Sequence, residues 1–75
     1  MVRRNEQAER AGQTARFAEL SVVFMRHPVD VGGRLLPTGA KGTVVAAYAD
    51  GLGYEVEVFQ PFHAVVTLEA SDLTT

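Results

Sequence analysis

Hydrophobic and polar positions alternate most regularly in the run YEVEVF. Over Tyr54 to Phe59, an extended chain places Tyr54, Val56 and Val58 on one face and Glu55 and Glu57 on the other. That is the pattern of a strand in a sheet with one wet face. Four other segments predict extended structure. FAELSVVFM, Phe17 to Met25, is rich in β-branched and aromatic residues and is closed by Pro28, which cannot donate to a ladder. KGTVVAAY, Lys41 to Tyr48, is a second strand, and Ala49-Asp50-Gly51-Leu52-Gly53 supplies the reversal into YEVEVF. After a turn at Gln60-Pro61-Phe62-His63 comes AVVTL, Ala64 to Leu68. Glu69 to Asp72 then predicts a single helical turn, and Leu73 to Thr75 a short last strand. The stretch from Val29 to Ala40, punctuated by Gly32, Gly33, Pro37 and Gly39, predicts a long loop that Leu35 or Leu36 pins to the core.

This order predicts an all-β fold: a small SH3-like barrel of four to five antiparallel strands over residues 17–75. Glu55 and Glu57 would face solvent and discourage edge-to-edge aggregation. Residues 1–16, MVRRNEQAERAGQTAR, favour helix by composition but bury little, so a flexible or helical N-terminal tail is expected there.

Composition narrows the function classes. With 75 residues the chain holds one small domain. It has no cysteine, which removes a disulfide framework and any thiolate zinc site. No apolar run approaches the roughly 20 residues that span a bilayer, and none follows the charged N-terminus as in a secretory signal. The expected location is the cytoplasm. The net charge of −2 is unevenly placed. Arg3, Arg4, Arg10 and Arg16 outweigh Glu6 and Glu9 in the tail, and seven acids outweigh Arg26, Arg34 and Lys41 in the remainder. An acidic body repels phosphate backbones, which argues against nucleic acid as a partner.

Two groups of known proteins resemble these residues. Gly39 to Val44, GAKGTV, resembles the start of KOW-type and related SH3-like barrels, where one glycine ends a loop and a second opens a strand. The wider series is Val22-Val23-Phe24, Pro28, Gly39-x-x-Gly42-Thr43-Val44-Val45, Tyr48-x-Asp50-Gly51, Tyr54-Glu55-Val56-Glu57, Val66-Thr67-Leu68 and Asp72-Leu73. It resembles a short bacterial domain-of-unknown-function family over about residues 18 to 74. That resemblance implies an SH3-like barrel, a bacterial source and small operons of the toxin–antitoxin or immunity kind, hence a protein-binding role. It lends no catalytic residues. The chain departs from it in a longer loop from Val29 to Pro37 and in Ala46, where the family often carries a charge.

Catalytic chemistry finds little footing. His27 and His63 each border a turn, and no ligand spacing joins them to a carboxylate such as Asp30, so no metal or other cofactor is expected. Ser21 and Ser71 lack a strained glycine elbow. The paired Glu55 and Glu57 sit on a wet strand face rather than in an apolar pocket, and a barrel this small leaves little room for one. No phosphate-binding loop follows Gly32-Gly33 or Gly51-x-Gly53. The chain is expected not to be an enzyme and to have no small-molecule substrate.

Protein contact remains. Phe59 and Phe62 flank a proline turn ending in His63, and interface anchors are typically aromatic residues and arginine. The competing assignment is that both phenylalanines cap the barrel end. Arg26, His27 and Arg34 lie in the first loop region, which in SH3-like domains borders the usual binding face. In the second strand, Val44, Ala46 and Tyr48 alternate with Val45 and Ala47, so both faces are apolar. That predicts either an exposed apolar stripe serving a protein partner or a homodimer, or a fully buried strand. The leading expectation is a non-enzymatic interaction module. The alternatives are a KOW-like RNA- or ribosome-associated module and a small structural subunit of a larger complex.

Overall fold

The computed structural model describes residues 17–49 and 53–75. The expected tail over 1–16 and the hairpin tip Asp50-Gly51-Leu52 lie outside the described residues. Seven strands follow in order: β1 (Val22–Met25), β2 (Val29–Val31), β3 (Arg34–Leu36), β4 (Lys41–Ala47), β5 (Tyr54–Val58), β6 (Ala64–Leu68) and β7 (Leu73–Thr74). A single 3-10 turn at Ala70–Asp72 precedes β7. Five strands form one antiparallel sheet in the order β6-β5-β4-β1-β7, and β2 and β3 form a second, two-stranded sheet. The larger sheet curls into a half-barrel. The all-β architecture expected from the sequence is the one observed. Among the described residues no helix is long and apolar enough to cross a membrane.

One face of the curled sheet makes the core. Val23 and Met25 of β1, Val44 of β4, Tyr54, Val56 and Val58 of β5 and Leu73 of β7 are buried, joined by Leu36 from β3. The alternation in YEVEV is realised residue by residue: the three odd members are inside and both glutamates stand on the outer side. Phe17 closes the core beside Tyr54, edge to face at 5.4 Å and 68°.

Three expectations are corrected. The first strand does not begin at Phe17. Leu20 adopts φ 71, a left-handed conformation that breaks the pleat, and Ser21 N–H donates to the Ala18 carbonyl across a tight turn (3.1 Å). Phe17 keeps its place in the core, but pairing starts at Val22.

The stretch from Val29 to Ala40 is not all loop. Val29 pairs with Leu36, Asp30 with Leu35 and Val31 with Arg34, which leaves Gly32-Gly33 as a two-residue hairpin turn. Their φ values of 60 and 92 are those of a primed turn, which matches the twist of flanking strands and demands glycine-like residues. Asp30 Oδ1 accepts the Gly33 N–H at 2.9 Å and fixes the reversal. Leu36 pins the hairpin to the core while Leu35 is exposed.

The third correction concerns β4. Val44 pairs with Val56, but the next pair is Ala46 with Glu55, so Val45 is an extra residue in a β-bulge. The bulge changes which residues face inward. Gly42 and Val44 point in before it, and Ala47, opposite Tyr54, points in after it. Val44, Ala46 and Tyr48 therefore do not share a face.

Candidate interaction surface

The outer face of the sheet follows from the register. Val22, Thr43, Glu57 and Val65 form one row across β1, β4, β5 and β6. Phe24 lies beside Lys41 on one side and Thr74 on the other, and Ala46, Glu55 and Thr67 form a third row. Val22, Val45 and Val65 are all exposed on these strands, with Val65 at 52%. Two glutamates divide this apolar surface.

Each glutamate is held by neighbours. Glu55 Oε2 accepts from the Tyr48 hydroxyl and from Thr67 Oγ1, the latter at 2.8 Å. These two donors, Tyr48 first, favour the ionised carboxylate and hold its pKa below the ordinary value. Tyr48 is set over Gly53, whose missing side chain makes room for the ring: a Cβ there would lie 2.6 Å from Tyr48 Cδ2. Glu57 Oε2 accepts from His63 Nε2 at 2.8 Å. The His63 ring stacks on Phe59, with centroids 5.1 Å apart and planes 24° from parallel.

Phe59 is 63% exposed. It lines an open groove of about 450 Å³ with Lys41, Gly42, Thr43, Glu57 and Gln60. A second open depression, about 530 Å³, lies along Tyr48, Gly53, Thr67, Leu68, Glu69 and Asp72. The small barrel thus carries more concave surface than its length suggested, on its outside rather than within its core.

The remaining sequence candidates fall elsewhere. Val44 is 0% exposed in the core, so it leaves the candidate surface, whereas Ala46 and Tyr48 stay on it. Arg34 lays its guanidinium 3.9 Å from the centroid of Phe62, a cation–π contact, and Phe62 packs partly against the core. His27 Nδ1 donates to the Pro28 carbonyl (3.0 Å) and its Nε2 to Asp72 Oδ1 (2.7 Å). The Pro28 carbonyl, then Asp72, raise its pKa above the ordinary value. Arg26 joins the same corner through its backbone N–H on the Asp72 carbonyl (2.9 Å). These contacts brace the first loop against the 3-10 turn. Among the described residues no three metal-ligating side chains gather.

Sequence reasoning passed over Val22, Val65 and Lys41. Their signal was present in the alternation of YEVEV, which fixes the outer face of β5, but it reaches the neighbouring strands only through the register. Compared with protein-family models, with curated proteins and with solved structures, the chain matches none of them.

Proposed function

We propose that this chain is a non-enzymatic bacterial interaction module of the antitoxin or immunity kind, which binds a protein through the outer face of its sheet. The observation that carries the reading is Phe59: a large aromatic, mostly exposed, stacked on His63 at the lip of a groove. Aromatics beside a concavity are the usual anchors of protein interfaces. Val22, Val45 and Val65 extend the apolar area. Glu55 and Glu57 lie within it, so the fitting partner presents apolar side chains together with arginine or lysine. The same glutamates disfavour a nucleic-acid strand on this face.

Crosslinking capture in the source cell, comparing the wild type with Phe59→Ser, tests the reading. A protein recovered with the wild type and lost with the variant supports it. Fluorescence anisotropy on single-stranded RNA is the counter-test. Micromolar binding that falls steeply with salt would replace the protein partner with RNA.

A further inference from the structure

The sheet has two edges, and one of them is unguarded among the described residues. β7 is two residues long, whereas β6 is five residues of AVVTL with no charge, no proline and an unbroken register against β5. Natural sheets usually protect such an edge with one of those devices. The ladder fixes which groups it offers. Tyr48 N–H donates to the Gly53 carbonyl at 2.9 Å. Hydrogen-bonded pairs alternate along an antiparallel ladder, so Ala46 and Glu55 form the next bonded pair. Glu55 and Glu57 thus turn their main-chain groups toward β4, and Tyr54, Val56 and Val58 turn theirs toward β6. Their partners Leu68, Val66 and Ala64 are satisfied by β5. The N–H and C=O of Val65 and Thr67 point away from the sheet, and no main-chain partner meets them among the described residues.

We propose that β6 takes the β6 strand of a second copy of this chain, antiparallel, with the two-fold axis at Val66. In that register Val65 lies opposite Thr67 of the second copy, so the outward main-chain groups of both residues are satisfied in both copies. Val66, only partly buried at the open side of the core, meets Val66. At each end His63, which also holds Glu57, comes opposite Glu69 of the other copy, which caps the 3-10 turn, so that a base rather than a second acid faces that carboxylate, symmetrically about Val66. That self-complementarity is what a two-fold interface requires, and it selects a second copy over an unrelated strand. Val65, Val66 and Thr67 are all β-branched and suit a central strand better than an edge. One sheet then runs through both copies. The inference rests on the reading of the chain as an interaction module, and it uses the edge rather than the groove at Phe59.

Sedimentation velocity on the full chain over a concentration series tests it. The wild type is expected to pass from monomer to dimer. Val65→Lys places an ammonium opposite Glu57, which keeps the fold, and puts a charge on the edge. It is expected to weaken dimerisation about tenfold or more. Amide exchange provides a readout that needs no substitution: protection at Val65 and Thr67 should rise with concentration, while Val66 stays protected throughout. A wild type that remains monomeric overturns the proposal, as does a dimer that exchanges Val65 and Thr67 freely. A dimer that survives Val65→Lys but is lost in Phe59→Ser also overturns it, and moves self-association to the outer face. Phe59→Ser that dimerises normally yet loses its captured partner supports both readings as separate surfaces.

Discussion

β4 and β5 are neighbours in one hairpin, and they teach opposite lessons. β5 is a regular strand whose inside and outside are written in its alternation, YEVEV. β4 is longer and apolar from Val44 onward, and its inside changes parity at Val45. A regular strand with polar residues on one face declares its register, because a one-residue slip would bury Glu55 and Glu57. A bulged strand whose residues after Lys41 are all small or apolar declares little, because either parity is tolerable locally. The partner strand decides: Tyr54 needs a small inward neighbour and finds Ala47, and Glu55 needs an outward one and finds Ala46.

Adjacent substitutions break or sharpen this contrast. The largest effect is expected at Val44. Val44→Asp buries an unpaired carboxylate in a core this small and should abolish the cooperative urea transition. Val45→Asp, one residue on, should change stability by less than about 1 kcal/mol. Equal losses at the two positions would overturn the placement of Val44 inside and Val45 outside. On β5, Tyr54→Ala should cost about 3–5 kcal/mol in urea melts, as aromatic deletions from a core do. Replacing the outer-face Glu57 with alanine should cost well under half of that. The smallest effect belongs to Ala46→Lys, which sets a cation opposite Glu55 and should be neutral or stabilising by about 0.2–1 kcal/mol. The same change at Ala47 points at the core and should destabilise. A reversal of that pair would restore simple alternation to β4.

Acid and base probe two separate places. Glu55 is held below its ordinary pKa in the fold, so the stability it contributes is present above the unfolded value and is lost as pH falls through the folded one. Glu55→Gln should flatten the acid limb of a melting-temperature profile below the usual carboxylate range. His27 is raised, so its contribution is complete below the unfolded histidine value and disappears as pH rises through the folded value. Asp72→Asn should weaken that dependence on the near-neutral side. Unchanged profiles would mean that neither contact is kept in solution.

Much of the architecture was legible from residues alone. Periodicity gave β5, and β-branched runs bounded by turn residues gave β4 and β6 to within a residue. Glu69 to Asp72 gave the 3-10 turn, because Asp72 Oδ2 accepts the Glu69 N–H and closes a local cap (2.9 Å). What escaped was decided by backbone conformation at single residues. Leu20 enters a left-handed region that leucine rarely adopts, and the Leu20 N–H bond to the Val44 carbonyl repays part of that strain. Gly32-Gly33 carried the mark of a two-residue hairpin, but the strands on either side are three residues each, too short to show a period. The proposed surface was legible only where residues are near in sequence. Phe59 and His63 lie close along the chain, and the turn between them suggested the pair. Val22 and Val65 lie in β1 and β6, and only the sheet puts them on one face.

The bulge at Val45 also bears on how this chain tolerates a change of length. Removing a residue from the middle of a strand ordinarily shifts every following side chain to the wrong face. Here the residues on both sides of Val45 already have their partners, Val44 with Val56 and Ala46 with Glu55. Deleting Val45 alone would leave both pairs in place and turn β4 into a regular ladder. Val44 and Val45 are identical neighbours, as are Ala46 and Ala47, so a deletion scan along the hairpin should tolerate one loss anywhere from Val44 to Ala47, whereas the loss of a residue from the middle of the regular β5 should be far more damaging.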